Sequence, residues 1–310
     1  MEKILITGGN GLVGKAIKKV VGENSNYYFS KSSDADLTDF KQCNELFQKI
    51  KPTKVIHLAA NVGGLFKNMN HKVEMFEKNI LINFNVVKCS HIFGVQKLIG
   101  CLSTCIFPDK IPYPINEEML HKGPPHASND TYSYAKRMLQ IQCKAYNEQF
   151  NNNFICVIPT NIYGPNDNFN LKDSHVIPGL IHKCYLAKKN KQKFIVSGTG
   201  KPLRQFIFSE DLARIIIWIL ENPININSII ISPDIEAEIS IKKIAELIAI
   251  EFNYLDFLEY DITQSDGQYK KTANNTKLKN LYGDLNLVNI EIGIKKTIKW
   301  FIDNYDLCRK

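Results

Sequence analysis

Residues 3–14 read Lys3-Ile4-Leu5-Ile6-Thr7-Gly8-Gly9-Asn10-Gly11-Leu12-Val13-Gly14. The apolar start predicts a short strand over residues 3–7, and the residues after the turn place apolar side chains on one face of a helix. A glycine-rich turn between a strand and a helix lets the backbone approach a pyrophosphate, and the start of the helix favours negative charge. We therefore expect a dinucleotide to bind along residues 8–14.

The rest of the chain continues the alternation of strands and helices. Strands are predicted at residues 27–30, 55–58, 97–102 and 154–158, and helices at residues 39–49 (beginning at Thr38), 73–94 and 131–150. This order predicts an α/β fold of the Rossmann type, a doubly wound parallel sheet covered by helices.

The second half of the chain has a looser pattern. A strand is predicted at residues 193–197, and helices at residues 177–187, 210–220, 241–252 and 292–305. We expect a nucleotide-binding domain over residues 1–165, to which residues 205–232 return. A smaller C-terminal α/β lid for substrate would comprise residues 166–204 and 233–310. Ligands should lie between the two, beyond the carboxyl ends of the strands.

Composition narrows the classes of function. At 310 residues and 44% apolar residues the chain can bury a large core. The net charge of +8 comes from scattered lysines without a long basic tract, which argues against nucleic-acid binding. No apolar run reaches the roughly 18 residues of a membrane span, and no leader pattern is present, so we expect a cytoplasmic protein. The eight cysteines lack zinc-site spacing and are read as reduced thiols, with no metal expected.

The end of the second predicted strand bears on the choice of dinucleotide. A carboxylate at this place would bind a ribose 2′-hydroxyl and repel a 2′-phosphate. Here the residues are Ser30-Lys31-Ser32, and hydroxyls with a cation favour NADP(H). Asp34 and Asp36 follow closely, so NAD binding through one of them stays an alternative.

A tyrosine followed four residues later by a lysine occurs three times, and only Tyr132 with Lys136 begins a long helix one loop after a serine-bearing strand end. Residues four apart share a helix face, so the Lys136 ammonium can favour the ionised phenol. We expect Tyr132 to protonate a carbonyl oxygen as hydride arrives, Lys136 to hold the nicotinamide ribose, and Ser103 to orient the carbonyl. The alternative is a buried aromatic beside a snorkelling lysine.

Longer segments make the chain similar to the GDP-L-fucose synthase family of the extended short-chain dehydrogenases, over nearly its whole length. The matching segments are residues 57–60 (HLAA), 62–64 (VGG), 103–108 (STCIFP), 132–136 (YSYAK), 159–161 (PTN), 163–169 (YGPNDNF), 174–178 (SHVIP), 204–206 (RQF) and 265–267 (SDG). That family converts GDP-4-keto-6-deoxy-D-mannose by epimerisation at carbons 3 and 5 and NADPH-dependent reduction at carbon 4.

The resemblance assigns roles to particular residues. Cys105 would be the base that removes a proton beside the ketone, and His175 would return one to the opposite face. Each has a plainer alternative, a small buried apolar side chain for Cys105 and a polar loop residue for His175. Further contacts to the cofactor would come from Asp36, Leu37, Ala59, Ala60, Pro159, Asn161, Ile162 and His175.

For the GDP-sugar, the resemblance implies Lys183, Arg204, Asp266 and Lys270 as contacts. Ser197 stands where bacterial relatives have tryptophan, which puts a stacking contact in doubt. The helices at residues 73–94 and 131–150 resemble a pairing surface that builds a four-helix homodimer interface. Three other functions stay open: a sugar-nucleotide 4,6-dehydratase, a UDP-sugar 4-epimerase, and an NADP-binding sensor without turnover.

Overall fold

The computed structural model describes residues 2–264, 266 and 268–310. The strands are β1 (Ile4–Thr7), β2 (Tyr27–Phe29), β3 (Lys54–His57), β4 (Lys97–Cys101), β5 (Phe154–Pro159), β6 (Asn161–Tyr163), β7 (Phe194–Ser197), β8 (Leu203–Arg204), β9 (Phe206–Phe208), β10 (Ser228–Ile231), β11 (Ile239–Ser240) and β12 (Leu258–Asp261). The helices are α1 (Leu12–Val21), α2 (Phe40–Ile50), α3 (Leu65–Asn70), α4 (Lys72–Ile92), α5 (Asp130–Phe150), α6 (Val176–Lys189), α7 (Ser209–Glu221), α8 (Ile241–Glu251), α9 (Thr276–Tyr282) and α10 (Ile290–Asp303).

Six strands form one parallel sheet in the order β10-β5-β4-β3-β1-β2. Its central strands are buried on both faces, which explains their continuous apolar sequences. Helices α2, α4 and α5 contribute to the core on one face, and α1 and α7 to the core on the other. The predicted doubly wound α/β fold of the Rossmann type is confirmed.

A third core lies in the C-terminal half, between α6, α8, α10 and strand β7. Short strand pairs surround it: β7 with β12 and β6 with β9 are parallel, and β8 with β11 is antiparallel. Strand β10 extends the large sheet beside β5, although β6 to β9 lie between these two strands in the chain. The division into two domains at the residues given above stays a prediction.

The local predictions differ from the structure in one helix cap and in several short elements. The helix expected to begin at Thr38 is capped by Asp39 instead, whose carboxylate accepts hydrogen bonds from the backbone N–H groups of Lys41 (2.7 Å) and Gln42 (3.1 Å). The Thr38 hydroxyl is used elsewhere, because it donates to Asp36 at 2.8 Å. Helices α3 and α9, and strands β6 and β8 to β12, were not expected either. Among the described residues, no helix has the length and apolar character needed to cross a membrane.

Candidate functional site

The glycine turn after β1 has no room for a side chain at Gly8 or at Gly14. A Cβ on Gly14 would stand 2.6 Å from the carbonyl oxygen of Gly9, and one on Gly8 would stand 2.8 Å from the backbone nitrogen of Ala59. Gly8 also has a φ of +71°, which favours glycine. Gly11 precedes α1 and brings no side-chain cap, so the first N–H groups of α1 remain available to an anion. The turn therefore fits a pyrophosphate.

The neighbouring carboxylates are already engaged by their own loop. Asp34 accepts a hydrogen bond from the backbone N–H of Lys31 at 2.8 Å. Asp36 accepts from the N–H and the hydroxyl of Thr38 at 2.9 and 2.8 Å. The side chain of Lys31 is exposed directly after β2. This arrangement leaves a cation at the place where a 2′-phosphate binds in this kind of fold, and it fits NADP(H).

The other predicted cofactor residues follow strand ends at the same edge of the sheet. Asn10, Leu12 and Val13 belong to the glycine turn and the start of α1, and Leu37 is buried between β2 and α2. Ala59 and Ala60 follow β3, Pro159 ends β5, and Asn161 and Ile162 lie in β6. Carboxyl ends of parallel strands meet at one edge, so the fold brings these residues together. Their contacts with a cofactor stay predictions.

Helix α5 holds the strand end that carries the predicted catalytic serine and cysteine. The Lys136 ammonium donates to the carbonyl oxygen of Cys101 at 2.9 Å, and the Ser133 hydroxyl donates to that of Cys105 at 3.0 Å. The Arg137 guanidinium donates to the carbonyl oxygen of Ile106 at 2.6 Å. Three bonds thus fasten the end of β4 and the following 3₁₀ turn, Thr104–Ile106, to the helix that bears Tyr132.

Burial sets the protonation of the tyrosine and lysine pair. It raises the pKa of the Tyr132 phenol well above its usual range, and negative charge on Cys105 acts in the same direction. Burial also lowers the pKa of Lys136, whose side chain is enclosed. The shift of Tyr132 is opposite to the one expected from Lys136, because burial dominates and the ammonium is bonded to a backbone carbonyl. The phenol is therefore protonated at neutral pH and able to donate.

Cys105 lies at the edge of one core cluster. The residue is half-buried and packs against that cluster, as do Ile111 and Tyr113. The Ser103 hydroxyl accepts a hydrogen bond from the backbone N–H of Cys105 at 3.4 Å. Ser103, the predicted carbonyl-orienting serine, thus caps the 3₁₀ turn that contains Cys105. The role of Cys105 as the base stays a prediction.

His175 lies directly before α6. Its loop rests on residues 61–64, since Gly64 donates from its backbone N–H to the carbonyl oxygen of Asp173 at 3.0 Å. A Cβ on Gly64 would stand 2.9 Å from the carbonyl oxygen of Ser174, so this close approach requires glycine. The imidazole is accessible to solvent, yet the protein around it displaces enough water to lower the pKa of His175.

The four predicted substrate residues have different surroundings. Arg204 is half-buried and donates to the carbonyl oxygens of Leu203 (2.7 Å) and Gln268 (2.6 Å). The Lys270 ammonium pairs with Glu238 at 3.3 Å. Asp266 is exposed and accepts from the backbone N–H and the hydroxyl of Thr199 at 2.6 and 2.7 Å. Lys183 is half-buried on α6. Ser265 and Gly267, which flank Asp266 in the quoted motif, lie outside the described residues.

Sequence reasoning missed several residues that build the site. Ser133 and Arg137 hold the turn of Cys105, as described above. Gln205 is fully buried, accepts from the backbone N–H of Ala273 at 2.8 Å, and donates to the carbonyl oxygens of Pro233 and Ala273. Lys271 is half-buried, and burial lowers the pKa of its ammonium group. The motif at residues 204–206 and the adjacent lysines at 270 and 271 were the only available signals.

Among the residues that the structure describes, no group of three or more His, Cys, Asp or Glu side chains is placed to hold a metal ion. The eight cysteines are free thiols.

Comparisons with known proteins agree with this geometry. The model of the NAD dependent epimerase/dehydratase family matches residues 4–231. A GDP-L-fucose synthase of Dictyostelium discoideum is 54% identical over 99% of this chain and 97% of that protein. A probable GDP-L-fucose synthase of Drosophila melanogaster is 47% identical over the full length of both.

A solved structure gives the same result. The crystal structure of a GDP-L-fucose synthetase from Naegleria fowleri bound to NADP superposes with a TM-score of 0.95. It is 47% identical, and the match covers 100% of this chain and 95% of that one. The chain belongs to the NAD dependent epimerase/dehydratase family and, within it, to the GDP-L-fucose synthases.

Proposed function

We propose that this chain converts GDP-4-keto-6-deoxy-D-mannose to GDP-L-fucose, by epimerisation at carbons 3 and 5 followed by NADPH-dependent reduction of the 4-keto group. The proposal rests on one observation: a single helix supports residues for both the reduction and the epimerisation. Helix α5 bears Tyr132, the proton donor for reduction, and through Ser133 it also holds the turn of Cys105, the thiol for proton abstraction.

In the reduction, Tyr132 gives its proton to the 4-oxygen of the sugar. Burial keeps this phenol protonated until negative charge develops on the oxygen in front of it. Ser103 donates a hydrogen bond that orients the same oxygen. Lys136 has three N–H groups, of which one is directed to Cys101, and the others are available for ribose hydroxyls. Bound NADPH supplies the hydride to carbon 4.

In the epimerisation, the 4-keto group acidifies the hydrogens at carbons 3 and 5. Cys105 as a thiolate takes a proton from the carbon, the electron pair moves toward the 4-oxygen, and an enolate forms. His175 returns a proton from the opposite face.

The cofactor binds along residues 8–14, with the exposed Lys31 at the 2′-phosphate and Asp36 and Leu37 beneath the adenine. Ala59, Ala60, Pro159, Asn161, Ile162 and His175 approach the nicotinamide half. Lys183 and Arg204 bind the diphosphate of the GDP-sugar as cations. Lys270 adds positive charge, and Asp266 accepts from hydroxyl groups.

Two further proposals concern assembly and location. Helices α4 and α5 expose large apolar side chains, and we propose that they pair with those of a second copy in a four-helix homodimer interface. The exposed residues are Val73, Phe76, Leu81, Phe84, Ile92, Tyr134, Met138, Ile141 and Phe150. We place the enzyme in the cytoplasm, where eight unpaired thiols stay reduced.

The test is turnover of the full chain with GDP-4-keto-6-deoxy-D-mannose and NADPH in deuterated water, with product identification by NMR. Tyr132→Phe should reduce NADPH oxidation by about 100-fold or more. Deuterium exchange at carbons 3 and 5 should persist in this variant. Tyr134→Phe is the matched control, since Tyr134 is exposed on the same helix. Unchanged turnover of the Tyr132 variant would contradict the assignment.

Epimerisation is tested with separate variants. Cys105→Ser and His175→Asn should each abolish deuterium incorporation into the sugar while NADPH binding is retained. Incorporation at both carbons in both variants would rule out the thiol and the imidazole as the acid/base pair.

A further inference from the structure

A chain of buried polar side chains joins the end of β1 to helix α5. The Thr7 hydroxyl oxygen and Nδ1 of His57 lie 2.8 Å apart, and Nε2 of His57 lies 3.0 Å from Oδ1 of Asn83. The side-chain amide nitrogen of Asn83 donates to the carbonyl oxygen of Ala135 at 3.3 Å. All four residues are buried, with exposed fractions of 2% or less. The hydrogen bonds therefore run inside the core from β1 through β3 and α4 to α5.

The partners fix the direction of every bond in this chain. The carbonyl oxygen of Ala135 can only accept, so the amide nitrogen of Asn83 faces it and the amide oxygen faces His57. That amide oxygen also can only accept, so Nε2 of His57 carries a proton. Burial lowers the pKa of His57 to about 3, so the ring is neutral near neutral pH and its Nδ1 has no proton. Nδ1 accordingly accepts, and the Thr7 hydroxyl donates to it.

The Thr7 hydroxyl oxygen also holds the segment that follows β3. It accepts from the backbone N–H groups of Leu58 and Ala59, at 3.2 and 3.3 Å. Every polar atom of the Thr7, His57 and Asn83 side chains thus has a partner. A buried network that is complete in this way favours one arrangement of the elements it joins, because a shift leaves a donor or an acceptor unpaired.

The two ends of the chain of bonds lie next to groups that the proposed function uses in the reduction. Thr7 directly precedes Gly8 of the dinucleotide turn. Ala135 lies on α5 between Tyr132 and Lys136. The hydrogen bonds thus connect the turn proposed for the cofactor with the helix that bears the proposed proton donor.

We propose that Thr7, His57 and Asn83 are positioning residues for the reduction, which hold the part of α5 that bears Tyr132 at a fixed place relative to the dinucleotide turn. The proposal rests on the roles of Tyr132 and NADPH in the proposed function. Reduction needs the cofactor and the proton donor to reach one carbonyl group at the same time, and a misplacement of about 1 Å can slow a reaction about 100-fold.

The proposal predicts different effects on the two steps of the reaction. Ser133 fastens the turn of Cys105 to α5, so this turn stays with Tyr132 if α5 shifts, and the epimerisation should be retained. Hydride transfer should be slowed, because the cofactor is bound at the other end of the chain of bonds. A general loss of stability would instead lower both steps together.

The test compares Thr7→Val, which removes the hydroxyl at nearly constant volume, with Thr7→Ser, which keeps it. Thr297→Val is the matched control, since Thr297 is fully buried and its hydroxyl donates within its own helix, α10, to the carbonyl oxygen of Gly293 at 2.7 Å. Stopped-flow absorbance measures hydride transfer from NADPH to GDP-4-keto-6-deoxy-D-mannose in a single turnover, and deuterated NADPH verifies that this step is observed. NMR measures deuterium exchange at carbons 3 and 5, and fluorescence titration measures the Kd for NADPH.

Thr7→Val should slow hydride transfer about 10- to 100-fold. The Kd for NADPH and the exchange rate should stay within about threefold of the parent. Thr7→Ser should restore most of the rate, and Thr297→Val should match the parent. Unchanged hydride transfer in Thr7→Val, an equal loss of deuterium exchange, or an equal loss in Thr297→Val would overturn the proposal.

Asn83→Asp breaks the chain of bonds at its other end and replaces Thr7→Val if that variant does not fold. The new carboxylate can accept from Nε2 of His57, but in its ionised form it cannot donate to Ala135. Hydride transfer should fall about tenfold or more. A parental rate in this variant would overturn the proposal.

A spectroscopic readout tests the chain of bonds independently of turnover. In ¹⁵N NMR of histidine-labelled protein, with His57→Gln for assignment, His57 should carry its proton on Nε2 and should not titrate between about pH 5 and about pH 8. A proton on Nδ1, or titration in this range, would overturn the proposal. Turnover that persists in Tyr132→Phe would instead refute the proposed function, whereas the NMR spectrum and the Thr7 variants would still report on the positioning residues.

Discussion

Replacing Gly14 by alanine adds a single methyl group at the tightest point of the dinucleotide turn. The new Cβ would stand 2.6 Å from the carbonyl oxygen of Gly9 and 2.7 Å from that of Gly8. Non-bonded contacts are comfortable only at about 3.5 Å, so these carbonyls must move by roughly 0.8 Å. Both are backbone atoms of the turn that fits the pyrophosphate, and they cannot rotate away as a flexible side chain would.

Overpacking of this kind costs about 1 to 3 kcal/mol. Because the strain falls on the turn that presents its N–H groups to the pyrophosphate, we expect most of it to appear as lost affinity. At about 1.4 kcal/mol for each factor of ten, the Kd for NADPH should rise about 10- to 100-fold. Titration by NADPH fluorescence measures the Kd, and thermal unfolding of the same samples measures the change in stability.

Gly22→Ala at the other end of α1 is the control. Gly22 has a φ of +63° and no atom within 4 Å of a built Cβ, so alanine brings backbone strain without a clash. This variant should lose about 1 kcal/mol of stability and bind NADPH normally. A Gly14→Ala protein that binds NADPH within about twofold of the parent, at the parent's unfolding temperature, would refute the close-approach argument.

Three further predictions address charge and assembly. Burial lowers the pKa of His57 from 6.5 to about 3, so the unfolded chain binds more protons between these values. The free energy of unfolding should fall as pH drops from about 6.5 toward 3, by about 1.4 kcal/mol per unit at most. His57→Gln should flatten that slope in urea titrations, and an unchanged slope would contradict this account. Lys31→Met should weaken NADPH binding about tenfold and leave NADH binding unchanged in parallel titrations; equal losses for both would speak against a phosphate contact. Phe84→Glu on α4 should yield monomers in sedimentation, whereas Ile250→Glu, exposed on α8, should not; a Phe84 variant that stays dimeric would exclude this interface.

Local sequence patterns were sufficient to predict most of the helices and strands in the N-terminal half. The strand, glycine turn and helix of residues 4–21 lie where the sequence predicted them, because apolar periodicity and glycine spacing act within a few residues. Helix α5 and the pair of Tyr132 and Lys136 followed from the same kind of signal. The predicted cap of α2 was wrong by one residue. Thr38 and Asp39 are both good capping residues, and only the fold decides between them.

The short strands around the third core were harder to predict. Strands β6, β8, β9, β11 and β12 have two to four residues each, and each pairs with a distant segment. Two to four residues carry too little periodicity to identify a strand, and pairing at long sequence separation leaves no local trace. Their existence depends on contacts that form only when the sheet and the lid are assembled.

The sequence by itself determined the sheet, the dinucleotide turn, and the residue types of the phenol, thiol and imidazole, because each is encoded by neighbours along the chain. Only the tertiary structure decided which side chains hold the turn of Cys105 in place. The Ser133 hydroxyl and the Arg137 guanidinium donate to the carbonyl oxygens of Cys105 and Ile106 from α5. The physical reason is that these bonds join residues 28 and 31 positions apart in the chain, and contacts at such separations leave no local pattern in the sequence.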